Sequence, residues 1–159
     1  SKKMKVSKVR EYKQRLSFVS TKNLDDIEKL YNYDAEVFTD SPDFVWSLDN
    51  LKKELKEGWK IYSVMLDNEI VAAAFLKEEK DGLHTKNTPV KLIYQGNGFS
   101  HQIKDFFEDQ AREMKIHNIL HYCSSHNFRM ISLNESHGYE RLDTEFAENQ
   151  YLTEWKKII

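Results

Sequence analysis

The sequence has little cysteine, proline and glycine, and it lacks a long apolar run. Its one cysteine, Cys123, cannot form an intramolecular disulfide, and so little cysteine is typical of a protein from a reducing compartment. Two prolines and five glycines exclude a collagen-like or linker-rich chain. The longest apolar run, residues 70–76, has the length of a strand and is too short to span a membrane. We therefore expect a cytoplasmic protein with no membrane partner.

The chain does contain enough apolar surface for a core. Its 159 residues are 40% hydrophobic and 13% aromatic, which excludes global disorder and fits one domain. No internal repeat and no break in composition divides the chain. At this size the core needs no disulfide, and no group of residues predicts a metal site.

Positive charge is concentrated at the start of the chain. Residues 1–15 contain seven lysines and arginines against one glutamate, so they carry +6, and residues 16–159 carry −8 of the net charge of −2. A basic arm can contact nucleic acid, but no basic face follows it to extend such a contact. We predict a solvated basic arm at 1–15, a single domain at 16–159, and no nucleic-acid partner.

Hydrophobic spacing and turn residues predict seven strands and four helices. The strands are 16–20, 60–66, 70–77, 83–94, 119–123, 139–146 and 150–158, and the helices are 24–38, 48–57, 99–114 and 128–137. Asn23, Ser47 and Asn127 are the predicted N-terminal caps. The leucines at 48, 51 and 55 face inward in the second helix, and Pro89 indicates a bulge or an unpaired position in the strand at 83–94.

The order of these elements is β, α, α, β, β, β, α, β, α, β, β. Strands that are mostly sequential, with helices inserted at intervals, favour a mixed α/β (α+β) sheet over a doubly wound parallel one. We therefore predict a mixed sheet with helices packed against it.

The most informative segment lies between the strand at 83–94 and the helix that begins at Phe99. It reads Gln95-Gly96-Asn97-Gly98-Phe99-Ser100. Backbone N–H groups in such a turn point outward, glycine lets a bulky anion approach them, and the helix dipole adds positive charge. The segment predicts a phosphate or pyrophosphate site. It matches neither a Walker loop nor a dinucleotide-binding loop, and by itself a plain tight turn explains it equally well.

A second pattern follows the strand at 119–123. Residues 127–139 form the string N-x-x-M-x-x-L-N-x-x-x-G-Y. Together with the glycine turn, this string resembles the GNAT superfamily of acetyl-CoA-dependent N-acetyltransferases. The family pattern is Gln/Arg-Gly-x-Gly-x-Gly/Ala at the third helix, and Asn-x-x-Ala-x-x-x-Tyr-x-x-x-Gly-Phe after the next strand. The matching residues are Gln95, Gly96, Gly98 and Ser100 in the first pattern, Asn127, Gly138 and Tyr139 in the second, and Val90 at the end of the fourth strand.

The resemblance covers residues 16–159 and implies both a fold and an activity. The fold is a mostly antiparallel central sheet of about seven strands, flanked by about four helices and splayed between the fourth and fifth strands. The activity is direct transfer of an acetyl group from acetyl-CoA, or of another acyl group from its CoA ester, to a primary amine of a small molecule or peptide. The sequence allows a homodimer.

The resemblance also assigns residues to the cofactor. Its pyrophosphate would bind at Gln95, Gly96, Asn97, Gly98, Phe99 and Ser100. Val90 and Leu92 would line the pantetheine and polarise the thioester through backbone groups. Asn127 and Asn134 would face the pantetheine and the thiol.

One residue departs from the family pattern. The usual tyrosine, which serves as general acid toward the departing thiolate, is Asn134 here. A thiol with a pKa near 8.5 leaves as a thiolate at a cost of only about 2 kcal/mol at pH 7, and Asn134 could donate an N–H to the sulfur. The alternative is a domain that binds acyl-CoA without turnover.

The general base stays open at the level of sequence. His84 has a suitable ordinary pKa and lies six residues before Val90, and Tyr122 and His121 on the next strand are further candidates, as are Glu78 and Glu79. A chain of water molecules would serve equally well. Cys123 is expected to be a buried strand residue, because direct transfer needs no acyl-enzyme.

The acceptor amine is not specified by the sequence. Residues 16–45 carry a net charge of −5, which would attract a cationic amine, although most of these charges belong on the solvent face of a helix. Phe44 and Trp46 either line an acceptor pocket or fasten the second helix to the core.

Overall fold

The computed structural model describes residues 12–33, 45–142 and 152–159. Within these ranges the elements follow the predicted order. They are β1 (Ser17–Ser20), α1 (Leu24–Tyr31), α2 (Leu48–Lys56), β2 (Lys60–Leu66), β3 (Glu69–Glu79), β4 (Gly82–Asn87), α3 (Phe99–Glu113), β5 (Asn118–Ser124), α4 (Phe128–Ser136), β6 (Glu140–Leu142) and β7 (Leu152–Ile158). A short 3-10 turn, Leu92–Tyr94, precedes α3. Most of the predicted basic arm lies outside the described residues.

The strands form one sheet in the order β1-β2-β3-β4-β5-β7-β6. Neighbouring strands are antiparallel except β4 and β5, which run parallel where 83–85 oppose 119–121. The predicted fold class, a mixed and mostly antiparallel sheet with flanking helices, is therefore confirmed. In the described ranges no helix has the length and apolar character needed to cross a membrane.

The two faces of the sheet bury different helices, because successive side chains of a strand point to opposite faces. On one face α1 and α2 pack through Ile27, Leu30 and Leu51 against Ile61, Ala73 and Phe75, and Trp46 packs at the edge of this cluster. On the other face α3 packs through Phe99, Ile103, Phe107 and Ala111 against Val64, Leu76, Leu83 and Ile119. These contacts fix α3 on the central strands, and its first turn lies close in the chain to the end of β4.

The predicted helix caps are present as hydrogen bonds. Asn23 Oδ1 accepts from the Asp26 N–H at 2.9 Å, and Ser47 Oγ accepts from the Asn50 N–H at 3.1 Å. Asn127 Oδ1 accepts from the Met130 N–H at 3.1 Å. Each bond satisfies a donor that the first turn of a helix leaves without a partner, so these helices start where the sequence predicts.

Two predictions about the first two helices are wrong. The single helix predicted at 24–38 is interrupted, because α1 ends at Tyr31, where the Asn32 N–H closes the last turn on Glu28. Tyr33 then leaves the helix and packs edge-on against Trp46, with ring centroids 5.4 Å apart. The remaining predicted helix, 34–38, lies outside the described residues. Leu55 was expected to face inward, but it is 36% exposed near the end of α2.

The strand predicted at 83–94 is also too long, since β4 ends at Asn87. Pro89 has no N–H and interrupts the ladder at that point. The chain nevertheless stays attached to β3, because the N–H groups of Thr88 and Lys91 donate to the carbonyls of Ala73 and Val71 at 3.0 and 3.1 Å. Donors three residues apart on the same side of a strand indicate a bulge between them. The end of the predicted closing strand, 143–146, lies outside the described residues.

The Thr88 side chain replaces the ladder bond that the bulge removes. Its Oγ1 accepts from the Ala73 N–H at 2.7 Å and from the Tyr33 hydroxyl at 3.0 Å. Thr88 is only 1% exposed, so neither donor has water as a ready substitute. One hydroxyl therefore joins the end of β4, the middle of β3 and the end of α1.

Replacing Thr88 by valine tests this role, because valine has nearly the same shape but cannot accept a hydrogen bond. We expect Thr88→Val to lose about 2–4 kcal/mol of unfolding free energy, since two buried donors lose their acceptor. Thr88→Ser keeps the oxygen and removes one methyl group, so it should lose only about 1 kcal/mol. Urea unfolding of the two variants checks the difference, and equal stability would refute the role of the hydroxyl.

Candidate functional site

A cavity of about 610 Å³ opens where β4 ends, beside the first turns of α3 and α4. Its described lining residues are Asn87, Pro89, Val90, Tyr94, Gln95, Gly96, Gly98, Phe99, Ser100, His101, Asn127, Arg129, Met130 and Leu133. Seven residues predicted to bind a cofactor meet in it, namely Val90, Gln95, Gly96, Gly98, Phe99, Ser100 and Asn127. None of the described lining residues is an aspartate or glutamate, so the cavity suits an anion.

The first turn of α3 lies at one end of this cavity. Gly98 lies at the start of the helix with φ of +78°, and no side chain caps the helix. The first bond of the helix runs from the Gln102 N–H to the Gly98 carbonyl at 3.2 Å. The N–H groups of residues 99–101 therefore have no partner within the helix, which is the arrangement that binds phosphate.

Gln95 connects the two sides of the cavity. Its Nε2 donates to the Val90 carbonyl at 3.1 Å, and its Oε1 accepts from the Arg129 guanidinium of α4. Asn97 does not line the cavity; its Nδ2 donates to the Tyr94 carbonyl at 2.9 Å and thereby holds the turn closed. Leu92 lies in the 3-10 turn, 68% exposed and outside the cavity lining, because the strand ends before it.

Two cavity residues with basic side chains, Arg129 and His101, were not singled out from the sequence. Arg129 follows the cap residue Asn127 by two positions, and His101 is the third residue of α3. Arg129 occupies an unspecified position of the second family pattern and His101 follows the last residue of the first, so the patterns carry no signal for either. Their position in the first turn of a helix was a usable signal. A side chain there lies near any anion that binds the free backbone N–H groups of the helix.

Val90 presents a backbone donor at the gap between β4 and β5. It is 4% exposed and lines the cavity. Among the hydrogen bonds of the described residues, its carbonyl accepts from Gln95 but its N–H donates to no group. The pairing of β4 with β5 stops at Thr85 and His121, so the two strands separate before Val90 is reached. This is the splayed geometry that the sequence predicts.

His84 and Tyr122 lie together, but outside the described cavity lining. The Tyr122 hydroxyl is 3.1 Å from His84 Nδ1, and His84 Nε2 is 2.6 Å from Asp81 Oδ1. Burial, and then the nearby carboxylates of Glu154 and Asp81, raise the pKa of Tyr122, so its hydroxyl keeps its proton near neutral pH. His84 pairs with Leu120, where β4 and β5 are still joined. Val90 lies beyond the point where the two strands separate.

The remaining candidates for a base sit differently. His121 is 1% exposed and hydrogen-bonds Thr85 through Nδ1 at 2.9 Å. Burial, with the help of Lys104, lowers the pKa of His121 well below its ordinary value, so this histidine is neutral. Glu78 and Glu79 are exposed at the end of β3.

Asn134 is fully buried and points toward the sheet. Its Nδ2 is 3.7 Å from Cys123 Sγ, and its Oδ1 has no hydrogen-bond partner in the described residues. It does not line the cavity, although its neighbour Leu133 does. Cys123 is 8% exposed on β5, as expected for a buried strand residue, and burial raises the pKa of its thiol.

A buried lysine lies on the inner face of α3. Lys104 has no exposed surface, its Nζ has no hydrogen-bond partner among the described residues, and it sits 4.4 Å from the centre of the Tyr139 ring. Burial lowers the pKa of Lys104 to about 7, against 10.5 in water. In the unfolded chain this lysine stays protonated up to its ordinary pKa. Folding at neutral pH therefore costs free energy, because the lysine must either bury its charge or release its proton.

Replacing Lys104 by methionine should stabilise the protein, and the gain should depend on pH. Below about pH 7 the folded protein carries the full cost of the buried charge, whereas above pH 7 the folded lysine is mostly neutral and the cost is that of removing its proton, which falls as pH approaches the ordinary pKa of 10.5. Lys104→Met should therefore raise Tm most at pH 7 and progressively less toward pH 10. The exposed Lys52→Met on α2 serves as the control and should show no such trend. A destabilised Lys104→Met whose deficit is constant with pH would contradict this account.

Comparison with known proteins shows similarity of structure rather than of sequence. No protein-family model matches the sequence, and no curated protein matches it. An acetyltransferase from Thermus thermophilus shares the fold with a TM-score of 0.73 and 13% identity, over 94% of this chain and 100% of that one. The PaiA N-acetyltransferase from Thermoplasma acidophilum, in complex with coenzyme A, gives a TM-score of 0.71 and 13% identity, over 91% and 99% of the two chains.

A third solved structure extends the comparison. Mutant forms of the spermidine/spermine N-acetyltransferase SpeG from Vibrio cholerae give a TM-score of 0.68 and 15% identity, over 90% of this chain and 93% of that one. The similarity spans at least 90% of this chain in each case. The fold implied by the two sequence patterns is thereby confirmed, and the chain has the fold of the GNAT superfamily of N-acetyltransferases.

Proposed function

We propose that this chain is an N-acetyltransferase that moves an acetyl group from acetyl-CoA directly to a primary amine of a small molecule or peptide. The observation that carries the proposal is the cavity itself. It joins a phosphate-binding helix end to a splay in the sheet, and its described lining holds Arg129 but no carboxylate. The shared fold supports the same activity, as does the coenzyme A bound to one of the similar proteins.

The residues present fit acetyl-CoA, which supplies an activated acetyl group as a thioester. The N–H groups at the first turn of α3, together with Arg129, would hold the pyrophosphate. Val90 and Asn127 would contact the pantetheine, and the Val90 N–H would donate to the negative charge that develops on the thioester oxygen during transfer. Leu92 and Asn97 would act indirectly, through the turn in which they lie.

The acceptor amine must lose a proton before it can attack, because an alkyl ammonium has a pKa near 10.4. His84, with Asp81 and Tyr122 bonded to its two nitrogens, is one route for that proton, and a chain of water molecules is the other. Two of the similar proteins are named as acetyltransferases of ribosomal-protein alanine and of spermidine. Both of these acceptors take the acetyl group on an amine. The acceptor class of this chain is proposed on that ground.

The position of Asn134 favours one alternative. Since Asn134 faces Cys123, we assign it no contact with the thiol, and the thiolate would depart without a side-chain acid. That costs about 2 kcal/mol at pH 7, which slows an enzyme but does not stop it. A domain that binds acyl-CoA without turnover is the second candidate.

Calorimetric titration with acetyl-CoA, compared with dephospho-CoA and ATP, tests binding. Release of free thiol with spermidine or an alanine-terminated peptide then tests turnover. We expect micromolar binding of acetyl-CoA and thiol release only when an amine is present. Binding without thiol release across a panel of amines would favour the second candidate. Folded protein that does not bind acetyl-CoA would overturn both.

Gly98 offers a substitution with a matched control. Gly98→Ala and Gly138→Ala both place a side chain where φ is +78° or +80°, so both should lose about 1 kcal/mol of stability, and Gly98→Ala somewhat more because its Cβ would lie 3.3 Å from the Tyr12 ring. Of the two, only Gly98 lies in the described cavity lining, where strain at its positive φ would displace the N–H groups of the first turn that would meet a phosphate. Gly98→Ala should therefore weaken acetyl-CoA binding by about tenfold or more, on the scale of one lost charge-assisted hydrogen bond, while Gly138→Ala binds normally. Equal affinities would place the phosphates elsewhere.

A further inference from the structure

The cavity has less positive charge than its proposed ligand has negative charge. A CoA ester carries about four negative charges at neutral pH, and about two of them are on its 3′-phosphate. Among the described lining residues Arg129 is the one lysine or arginine, and its guanidinium donates to Gln95 Oε1. Together with the N–H groups at the first turn of α3, this one cation suits the pyrophosphate. The 3′-phosphate is left without a basic partner among these residues.

Positive charge is abundant in the basic arm. The arm carries +6, whereas the rest of the chain carries −8. Lys13 and Arg15 belong to the described residues, where both are exposed and neither forms an ion pair. Lys8 and Arg10 precede Tyr12 by four and two positions in the sequence. These four basic residues flank Tyr12, so the position of Tyr12 determines which part of the molecule they can serve.

Hydrogen bonds fix the end of the basic arm on α3. The Tyr12 hydroxyl donates to Asp105 Oδ2 at 2.6 Å. The Gln102 side chain donates through Nε2 to the Gln14 carbonyl at 2.7 Å and accepts at Oε1 from the Leu16 N–H at 2.9 Å. Gln102 is 6% exposed, so water competes little for these two bonds. From Tyr12 onward the chain therefore has a defined path along α3.

That path begins at the cavity. Gly98 lies in the cavity lining, and a Cβ added to it would lie 3.3 Å from two carbon atoms of the Tyr12 ring. The Arg15 guanidinium carbon is 5.8 Å from the centre of the same ring. Tyr12 thus packs against the residue that precedes the free N–H groups of α3. The basic arm joins the rest of the molecule beside the part of the cavity that is proposed to bind the pyrophosphate.

Covalent geometry limits the distance of the preceding basic residues from this point. An extended chain spans at most about 3.6 Å per residue, so the Cα atoms of Arg10 and Lys8 lie within about 8 and 15 Å of the Cα of Tyr12. The pyrophosphate and the 3′-phosphate of CoA are attached to the same ribose, through its 5′ and 3′ oxygens. A 3′-phosphate is therefore within reach of these side chains when its pyrophosphate binds at α3.

We propose that Lys8, Arg10, Lys13 and Arg15 bind the 3′-phosphate of the cofactor, and that the basic arm thereby selects CoA esters over dephospho-CoA esters. The inference rests on the proposed function, because it takes the cavity to be the acyl-CoA site. Lysine and arginine side chains suit a phosphate dianion, whose three free oxygens accept charge-assisted hydrogen bonds. The contribution of such exposed charges falls as salt screens them.

Calorimetric titration with CoA and with dephospho-CoA measures this selection, because the two ligands differ only in the 3′-phosphate. At an ionic strength of about 0.15 M, the wild-type protein should bind CoA about tenfold more tightly than dephospho-CoA, which is the combined effect of two or three exposed ion pairs. This ratio of affinities should fall several-fold when the salt concentration is raised to about 1 M, where the Debye length is about 3 Å.

Two variants of equal net charge separate a local role of the arm from general attraction. The arm variant carries K8Q, R10Q, K13Q and R15Q, and it should bind CoA and dephospho-CoA with nearly equal affinity. The control variant replaces four lysines that are exposed on α2 or at the start of β2, outside the described cavity lining, and it should keep the wild-type ratio. Its substitutions are K52Q, K53Q, K56Q and K60Q.

The outcomes separate the two proposals. Equal affinity of the wild-type protein for the two ligands, or a ratio that the arm variant retains, overturns the role of the arm and leaves the proposed function intact. A ratio that the control variant loses as well also overturns it, because net charge alone would then explain the selection. A folded wild-type protein that binds neither acetyl-CoA nor CoA overturns the proposed function, and this inference falls with it. A ratio lost in the arm variant alone supports the inference.

Discussion

The release of β4 from β5 is the constraint on which the site depends. Parallel pairing stops at Thr85, yet the chain beyond it cannot drift away, because Thr88 and Lys91 remain bonded to β3. Pro89 contributes to this division, since it has no N–H to offer either neighbour. The result is a gap in the sheet whose one wall is rigid and carries the Val90 N–H. The first turn of α3 begins eight residues after Lys91, and the helix end and the gap share one cavity.

The features that local chemistry determines could be predicted from the sequence. Helix caps, the turn between β2 and β3, and the glycines before α3 depend on neighbouring residues only, and these were located correctly. Positions that depend on packing were not. Leu92 looked like a strand residue because Val90, Ile93 and Tyr94 lie beside it in the sequence, but the bulge at Pro89 had already ended the strand. Asn134 matches its pattern in spacing, yet a short side chain on a tightly packed helix reaches Cys123 instead of the cavity. Arg129 and His101 were missed because neither belongs to a pattern, and their importance comes from two helix ends meeting in space.

The electrostatic surroundings of α3 differ between its first turn and its later turns. Its first turn faces a cavity with no described carboxylate, whereas farther along the helix Glu108 gathers His137, Lys157 and Arg112 around a single buried charge. Lys104 lies between these regions without a hydrogen bond, supported by the face of Tyr139. The protonation of each group along this one helix therefore depends on its burial and its partners. It does not depend on how near the groups are in the sequence.

The short parallel contact also divides the sheet into two unequal parts with different folding demands. The meander β2-β3-β4 pairs neighbours in the chain and closes only small loops, so its contacts can form early. The second part, β5 with β7 and β6, joins the first through three residue pairs and through α3. A ligand lying between β4 and β5 would touch both parts at once. It would therefore stabilise the assembled sheet far more than either part alone. Binding at the site would then couple the unfolding of the two parts and make the unfolding of the whole chain more cooperative.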